Sequence, residues 1–142
     1  MNEEGATIEE SFTDAPFLTN SESSGCSLFV SSEIGLVPIL NVVGEIDLSN
    51  APRIYSLMWQ TSQKGAISLI VNLEKLDFMD SSGLQVLLRL REKLRTKKQD
   101  ILLVAPTPQI RKLLKLTGFD KLFPLYDNNE DAKVFLEERS VS

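Results

Sequence analysis

The stretch Leu69–Leu88, LIVNLEKLDFMDSSGLQVLL, decides the fold of this chain. Its first part, LIVNL, is apolar and partly β-branched, and it is too short for a helix with its own hydrophobic face, so it predicts a buried strand. The leucines that follow DSSG recur at helical spacing and predict a helix: Leu84, Leu87, Leu88 and Leu94. We expect the residues between the strand and the DSSG run to form a short acidic crossing.

The serine pair marks the start of that helix. Ser82 followed three residues later by Gln85 is typical of a capping box, so Ser82 is the predicted N-cap. Ser81 then lies just outside the helix, at the carboxyl end of a strand, where ligands of open α/β sheets collect. Helix capping alone explains most polar runs of this kind, but one capping group is enough. Ser81 is therefore left beside Asp80 with a hydroxyl that we expect to face solvent.

A phosphate on Ser81 would change this site strongly. It would add about −1.5 to −2 charges at neutral pH. The free amides of the helix N-terminus would partly stabilise that charge, and the carboxylate of Asp80 would repel it. Such a residue suits a switch that changes what binds at this edge of the sheet.

Composition excludes several classes of function. The 142 residues are 42% hydrophobic and 25% charged, which indicates one globular domain. The absence of histidine excludes Ser–His and Cys–His nucleophilic pairs, His-ligated metals and phosphohistidine relays. The single Cys26 cannot form an intramolecular disulfide, and we interpret it as inert. Because there is no apolar run of membrane-spanning length and no signal peptide, we expect a cytoplasmic protein with no membrane insertion. We also expect no metal or other cofactor.

The charge is unevenly placed along the chain. The first 24 residues hold no Lys or Arg and six acidic residues: Glu3, Glu4, Glu9, Glu10, Asp14 and Glu22. The rest carries 15 basic and 14 acidic residues, a balance that does not favour direct nucleic acid binding. We expect residues 1–25 to be an acidic, disordered N-terminal extension and residues 26–142 to be the folded domain.

The remaining patterns complete the predicted order of elements. Strands are predicted at 27–32, 37–46, 67–73, 101–105 and 122–126, and helices at 51–64, 82–97, from Thr107-Pro108 to Gly118, and after an N-cap at Asn128. This order, ββαβαβαβα, predicts an α/β fold with a mixed central β-sheet and crossover α-helices.

Two surface features leave alternatives open. Arg89, Lys93 and Lys97 form an i,i+4 stripe, which is either a solvated face or a docking surface for an acidic partner or the acidic N-terminal segment. Trp59 lies off the inward face of its helix and either packs at an edge or contacts a partner.

The chain resembles the STAS domain family, and more narrowly bacterial anti-sigma factor antagonists (anti-anti-sigma factors). The motif FMDSSGL at 78–84, preceded by the apolar strand, resembles the family signature. GEID at 44–47 followed by Ala51, and LTGFDKLF at 116–123, resemble two further family stretches in the same order. The resemblance extends from about Ser27 to Leu136 and implies a single-domain STAS fold.

This resemblance implies a regulatory binding module that uses partner switching and is not an enzyme. The unphosphorylated form would bind a cognate anti-sigma factor, itself a serine protein kinase, and free the sigma factor for transcription. Phosphorylation of Ser81, or less favourably of Ser82, would switch binding off, and a phosphoserine phosphatase would reverse it. The implied partner-binding residues are Asp47, Ser49, Asn50, Asp80, Ser81, Ser82, Gly83 and Gln85. Asp47 is expected near the same edge because it ends a neighbouring strand, with helix capping as its alternative role. We expect a monomer or weak dimer.

Two other functions compete with this interpretation. STAS modules also serve as regulatory subunits of transporters and of multiprotein stress-signalling complexes. An enzyme could use Asp47 and Asp80 as paired carboxylates for acid–base chemistry or to bind a metal. The sequence has no glycine-rich phosphate loop, no histidine base and no third acidic ligand in motif spacing, so we do not favour catalysis.

Overall fold

The computed structural model describes residues 25–34, 37–63 and 68–141, where strands and helices alternate. The strands are β1 Cys26–Ile34, β2 Val37–Ile46, β3 Ser68–Asn72, β4 Leu76–Met79, β5 Asp100–Val104 and β6 Leu125–Tyr126. The helices are α1 Ala51–Ser62, α2 Ser81–Arg95, α3 Pro108–Leu116 and α4 Asn129–Val141, with a 3-10 turn at Phe119–Lys121. The predicted acidic extension, except Gly25, and the predicted end of the first helix at residue 64 lie outside the described residues.

One mixed sheet forms the centre of the domain. Its strands lie in the order β1-β2-β3-β5-β6, and β4 pairs with β2 off this path. β1 runs antiparallel to β2, as expected for an opening hairpin, and the other strand pairs are parallel. The predicted α/β fold with a mixed sheet and crossover helices is therefore confirmed.

β4 was not predicted. The acidic crossing between the central strand and DSSG contains a short strand that pairs with the carboxyl-terminal part of β2, Gly44 with Leu76 and Ile46 with Met79. Leu76 and Met79 are buried, whereas Asp77 and Phe78 between them are exposed. This pattern lacks the strict alternation that identifies a half-buried strand in sequence. The order of elements is thus ββαββαβαβα.

The helices cover both faces of the sheet. α1, α2 and α3 pack on one face through residues such as Ile54, Leu87 and Leu114, all buried in the larger hydrophobic cluster. α4 packs on the other face, where Ala132 and Leu136 contact the smaller cluster around Ile39 and Leu102. The predicted cap of α4 is confirmed, because the Asn128 Oδ1 accepts a hydrogen bond from the Asp131 amide at 2.8 Å.

Two predicted boundaries were wrong. α2 ends at Arg95 rather than Lys97. The last strand is only Leu125–Tyr126, because the preceding residues form the 3-10 turn and the bend that follows it. Gly118 does end the third helix, with a φ of 81°. Phe119 packs against the core and stacks on Phe123, with 5.8 Å between the ring centroids.

Candidate functional site

The two acidic motifs meet at the carboxyl ends of β2 and β4. Ile46 and Met79 are partners in the parallel ladder, and the Asp80 amide donates to the Ile46 carbonyl at 3.3 Å. Asp47 and Asp80 therefore follow directly after paired residues of neighbouring strands. The structure brings the GEID and DSSG motifs together at one edge of the sheet, which we call the rim.

Asp80, not Ser82, caps α2. Its carboxylate oxygen Oδ1 accepts hydrogen bonds from the amides of Ser82 at 2.8 Å and Gly83 at 3.4 Å, and its backbone is extended. The predicted Ser82–Gln85 capping box is therefore wrong. A carboxylate at the N-cap satisfies free helix amides and interacts favourably with the helix dipole. Ser81 lies in the first turn of α2 rather than outside the helix.

The two serines differ in their exposure. Ser81 is exposed, and among the described residues its hydroxyl has no hydrogen-bond partner. Ser82 is half-buried and lines a depression between α1 and α2. The expectation that the Ser81 hydroxyl faces solvent agrees with the structure, although the reason is the cap at Asp80 and not a capping role of Ser82.

The turn after β2 is fixed by its own polar side chains. The Asp47 carboxylate accepts hydrogen bonds from the Ser49 amide at 3.0 Å and the Ser49 hydroxyl at 2.6 Å. The pKa of Asp47 is lowered below its usual value, mainly because its carboxylate accepts the hydrogen bond from the Ser49 hydroxyl. Asp47 is thus ionised at neutral pH, and its carboxylate holds the turn rather than capping α1.

The buried side chain of Asn50 stabilises this turn through two hydrogen bonds. Its side-chain oxygen accepts from the Asp47 amide at 3.0 Å, and its side-chain nitrogen donates to the Glu45 carbonyl at 2.9 Å. Asn50 is only 1% exposed. Its side chain is therefore unavailable to a partner in this arrangement, and it supports the site by positioning Asp47 and Ser49.

Gly83 has a similar structural role. It is buried, and a Cβ at this position would clash with the Met79 side chain and lie 3.3 Å from the Ile46 Cγ2. The missing side chain lets the first turn of α2 approach the ends of β2 and β4. Gln85, one turn after Ser81, is exposed and lines the depression beside Ser82.

Sequence reasoning missed an exposed leucine at this site. Leu48 lies in the turn between Asp47 and Ser49 and is 77% exposed. It borders a shallow depression of about 220 Å³, which is lined by Leu48, Ala51, Pro52, Ser82, Gln85, Val86 and Arg89. A large apolar residue inside the polar run D-L-S-N was the available signal, because a turn gives no reason to place leucine in water.

A second depression of about 240 Å³ lies on the other side of the DSSG motif, between β4 and α3. Its apolar lining includes Phe78, which is 40% exposed, and Leu116, which is 75% exposed. The chain from Phe78 to Ser82 thus passes from one apolar depression to the other. Ser81 lies between two surfaces that a protein partner could cover.

Within residues 25–34, 37–63 and 68–141, there is no group of three acidic or cysteine side chains placed to bind a metal ion. The carboxylates of Asp47 and Asp80 are each engaged by donors of their own turn. No helix in this part of the chain is long and apolar enough to cross a bilayer.

Comparison with known proteins agrees with this architecture. The family model of the STAS domain matches residues 29–132. The anti-sigma F factor antagonist of Paenibacillus polymyxa is 30% identical over 102 residues, which cover 71% of this chain and 87% of that protein.

Solved structures show the same fold. A crystal structure of an anti-sigma factor antagonist from Mycobacterium paratuberculosis superposes with a TM-score of 0.70 at 31% identity, covering 79% of this chain and 94% of that one. The unphosphorylated form of the Bacillus antagonist SpoIIAA shares the fold with a TM-score of 0.67 at 23% identity, covering 78% and 96% of the two chains. The motifs at the rim, the sheet order and these matches agree: this chain belongs to the STAS domain family.

Proposed function

We propose that this protein is an anti-sigma factor antagonist that binds its anti-sigma factor through the rim and is switched off by phosphorylation of Ser81. The observation that carries this proposal is the position of Ser81. It is an exposed hydroxyl in the first turn of α2, beside the cap Asp80 and between two apolar depressions. A modifying enzyme can reach it, and a bound partner would cover it.

The apolar residues around Ser81 give the unphosphorylated form a reason to bind. Leu48 and Phe78 expose apolar surface on the two sides of the motif. Burying such surface against a partner is favourable, at roughly 25 cal/mol per Å² of apolar area removed from water. A few well-packed side chains at the centre of an interface usually dominate its affinity.

Phosphate at Ser81 would oppose that burial. It would bring about −1.5 to −2 charges to a rim that already holds the carboxylates of Asp47 and Asp80. The Asp80 side chain already occupies the amides of Ser82 and Gly83, so the helix N-terminus is only partly available to the phosphate. An interface would therefore have to desolvate a poorly compensated charge, which is costly.

The chemistry of the switch belongs to the partners. The anti-sigma factor would act as the serine kinase, transferring the γ-phosphoryl group of ATP to the Ser81 oxygen and releasing ADP, while a kinase base takes the hydroxyl proton. A phosphoserine phosphatase would return the hydroxyl by hydrolysis and release inorganic phosphate. This chain would supply only the acceptor and its surroundings, without enzymatic activity of its own, in the cytoplasm where sigma factors act.

The test compares variants of the two adjacent serines. Full-length Ser81→Ala and Ser81→Glu are used as baits in native lysate beside Ser82→Ala and Ser82→Glu, and captured proteins are identified by mass spectrometry. The captured kinase is then purified, incubated with wild-type protein, ATP and magnesium, and the modified residue is mapped.

The proposal expects a serine-kinase-like regulator that Ser81→Ala retains and Ser81→Glu loses, with phosphate mapped to Ser81. The two Ser82 variants should then differ much less from each other. Equal capture by both Ser81 variants would contradict the switch. Transporter subunits or a large assembly held equally by all baits would instead support the competing STAS functions.

A further inference from the structure

A cationic and aromatic surface joins α1 and α2. Tyr55 and Trp59 of α1 lie under the basic stripe: the Arg89 guanidinium is 4.2 Å from the Tyr55 ring centroid, and the Lys93 and Lys97 ammonium groups are each 4.9 Å from the Trp59 centroid. We call these five residues the α1–α2 seam. The three cations of the stripe are exposed on α2 and the turn after it and lie against aromatic rings of α1, so both helices contribute to the seam.

The positive charge of the seam is not neutralised within the described residues. Arg89, Lys93 and Lys97 have no carboxylate within ion-pair distance there, and Lys97 donates instead to the neutral Gln63 amide oxygen at 2.7 Å. Glu92 is the single acidic residue of α1 and α2. The basic residues of these helices and the turn after them are Arg53, Arg89, Arg91, Lys93, Arg95, Lys97 and Lys98. The three cations of the seam, which no carboxylate of the described residues neutralises, favour an anionic ligand.

The same chain contains a segment with the matching charge. Residues 1–24 carry six carboxylates and no basic residue, together with Phe12 and Phe17. Without this segment, the remaining chain is almost neutral, with 15 basic and 14 acidic residues. The excess negative charge of the chain therefore lies in residues 1–24, and the seam is a local concentration of positive charge in the rest of the chain.

The segment joins the domain close to the seam. Gly25 lies at the start of β1, and its carbonyl accepts from the Glu45 amide at 2.9 Å, beside the carboxyl end of β2. Arg53 of α1 is near enough to Cys26 to act on its pKa. The segment thus leaves the domain at the rim, where α1 and α2 also begin.

Chain length permits the contact. Arg89 and Lys93 are eight and twelve residues after Ser81 in α2, so they lie roughly 12 and 18 Å along the helix from the rim, and Lys97 follows in the turn after the helix. An extended chain spans at most about 3.3–3.6 Å per residue, so the eleven residue-to-residue steps from Asp14 to Gly25 can cover up to ~36–40 Å. Asp14, Glu10 and Glu9 can therefore reach every cation of the seam.

Local electrostatics direct the segment away from the rim itself. Glu45, Asp47 and Asp80 are close to its attachment point and repel further carboxylates. The second depression, between β4 and α3, lies beyond β2 and β4 from Gly25, and Lys112 is the single charged residue of its lining. The seam combines three cations, two half-buried aromatic rings and a position within reach of the segment, whereas the second depression has one cation in its lining.

We propose that the acidic segment, residues 1–24, binds the α1–α2 seam of its own chain, with its carboxylates facing Arg89, Lys93 and Lys97. Single exposed ion pairs are weak, so several carboxylates must act together, and the contact is sensitive to salt. Arg89 also lines the Leu48 depression. The bound segment would thus lie next to the rim without covering Ser81. This proposal does not depend on the anti-sigma function.

A spin label on the acidic segment tests the contact directly. Full-length Ser11→Cys is labelled with a nitroxide, which should leave Cys26 unmodified because that thiol is 2% exposed. Amide signals are compared with the label oxidised and reduced. We expect selective loss of signal at Tyr55, Trp59, Arg89, Lys93 and Lys97 at low salt, and recovery at about 1 M salt, where the Debye length is ~3 Å.

Two lysine pairs provide matched variants. Lys93→Gln with Lys97→Gln should abolish the signal loss at the seam, whereas Lys112→Gln with Lys115→Gln on α3 should leave it unchanged. The emission of Trp59, the single tryptophan of the chain, gives a label-free check: salt should shift it in wild type and not after the six carboxylates are changed to amides. Signal loss confined to the Phe78–Leu116 depression, uniform loss, or none at the seam would overturn the proposal.

Discussion

The Asp80 carboxylate accepts a hydrogen bond from the Ser82 amide at 2.8 Å, and this contact sets the geometry of the whole motif. It places the N-cap of α2 at Asp80, so that the helix begins at Ser81. It also places a negative charge beside the hydroxyl that we propose as the phosphoacceptor. Asp80 therefore combines a structural and an electrostatic role, and these two roles can be separated by substitution.

Replacing Asp80 by alanine removes the cap, and replacing it by asparagine retains it. Asn and Asp are comparable N-caps, whereas alanine in their place usually costs ~1 kcal/mol. We expect Asp80→Ala to lower the free energy of unfolding by about 1 kcal/mol and Asp80→Asn to lower it much less. Urea denaturation followed by far-UV circular dichroism measures both. Equal losses for the two variants would show that the charge, rather than the cap, stabilises this helix.

The N-cap of α2 could not be predicted correctly from the sequence. Three consecutive residues, Asp80, Ser81 and Ser82, are all good caps, and the spacing to Gln85 favoured the last of them. The choice depends on the backbone of Asp80, which is extended because it continues β4 and bonds to Ile46. The hydrogen bond between the Asp80 amide and the Ile46 carbonyl depends on β4, the strand that was not predicted from the sequence.

Other parts of the fold were predictable because one local signal was sufficient. The continuous apolar run Leu69–Val71 is completely buried in the sheet, as its composition indicates. The stripe on α2 and the position of Trp59 off the inward face of α1 were also predictable, each from its own helix. Their pairing across the α1–α2 seam depends on how two helices pack, and periodicity within one helix carries no information about it.

Asp47 should titrate in the acid range with a pKa that depends on Ser49. The Ser49 hydroxyl lowers the pKa of Asp47 in the folded chain. The contact therefore stabilises the fold above the unfolded pKa, about 4, and is lost as the pH falls through the lower folded pKa. Ser49→Ala should raise the Asp47 pKa, measured by NMR titration of its carboxyl carbon, whereas Ser56→Ala on α1 should not. An unchanged pKa in Ser49→Ala would exclude this cause.

Gly44 of the GEID motif should tolerate no side chain. Its φ is 112°, and a Cβ there would clash with the Gly25 carbonyl of the neighbouring strand. Strained backbone alone costs of order 1–3 kcal/mol, and the clash adds to it. Gly118 also has a positive φ, 81°, but open space around its Cβ position. We expect Gly44→Ala to destabilise the protein more than Gly118→Ala in thermal unfolding; equal effects would show that β1 moves without cost.

Cys26 should be unreactive while the protein is folded. Burial raises the pKa of its thiol to about 11, so little thiolate exists near neutral pH. Because the folded pKa exceeds the unfolded value of about 8.5, stability should fall as the pH rises from 8.5 toward 11. Reaction with a disulfide reagent at pH 8 should be slow in buffer and fast in urea. Cys26→Ala should remove this alkaline loss; rapid reaction of the folded protein would contradict the assignment.

Leu48 should contribute to partner binding and not to the fold. It is 77% exposed beside the depression that Ser82 and Gln85 line, so Leu48→Ser loses almost no packing within the chain. Apolar residues central to an interface often contribute 1–2 kcal/mol or more, which corresponds to roughly a tenfold or larger rise in Kd. Val134, 45% exposed on α4 across the sheet, is the control. Calorimetric titration with the captured anti-sigma factor should show weaker binding for Leu48→Ser and wild-type affinity for Val134→Ser, with unfolding temperatures unchanged. Wild-type affinity for Leu48→Ser would show that Leu48 lies outside the interface with the anti-sigma factor. Its exposure would then have no role in the switch.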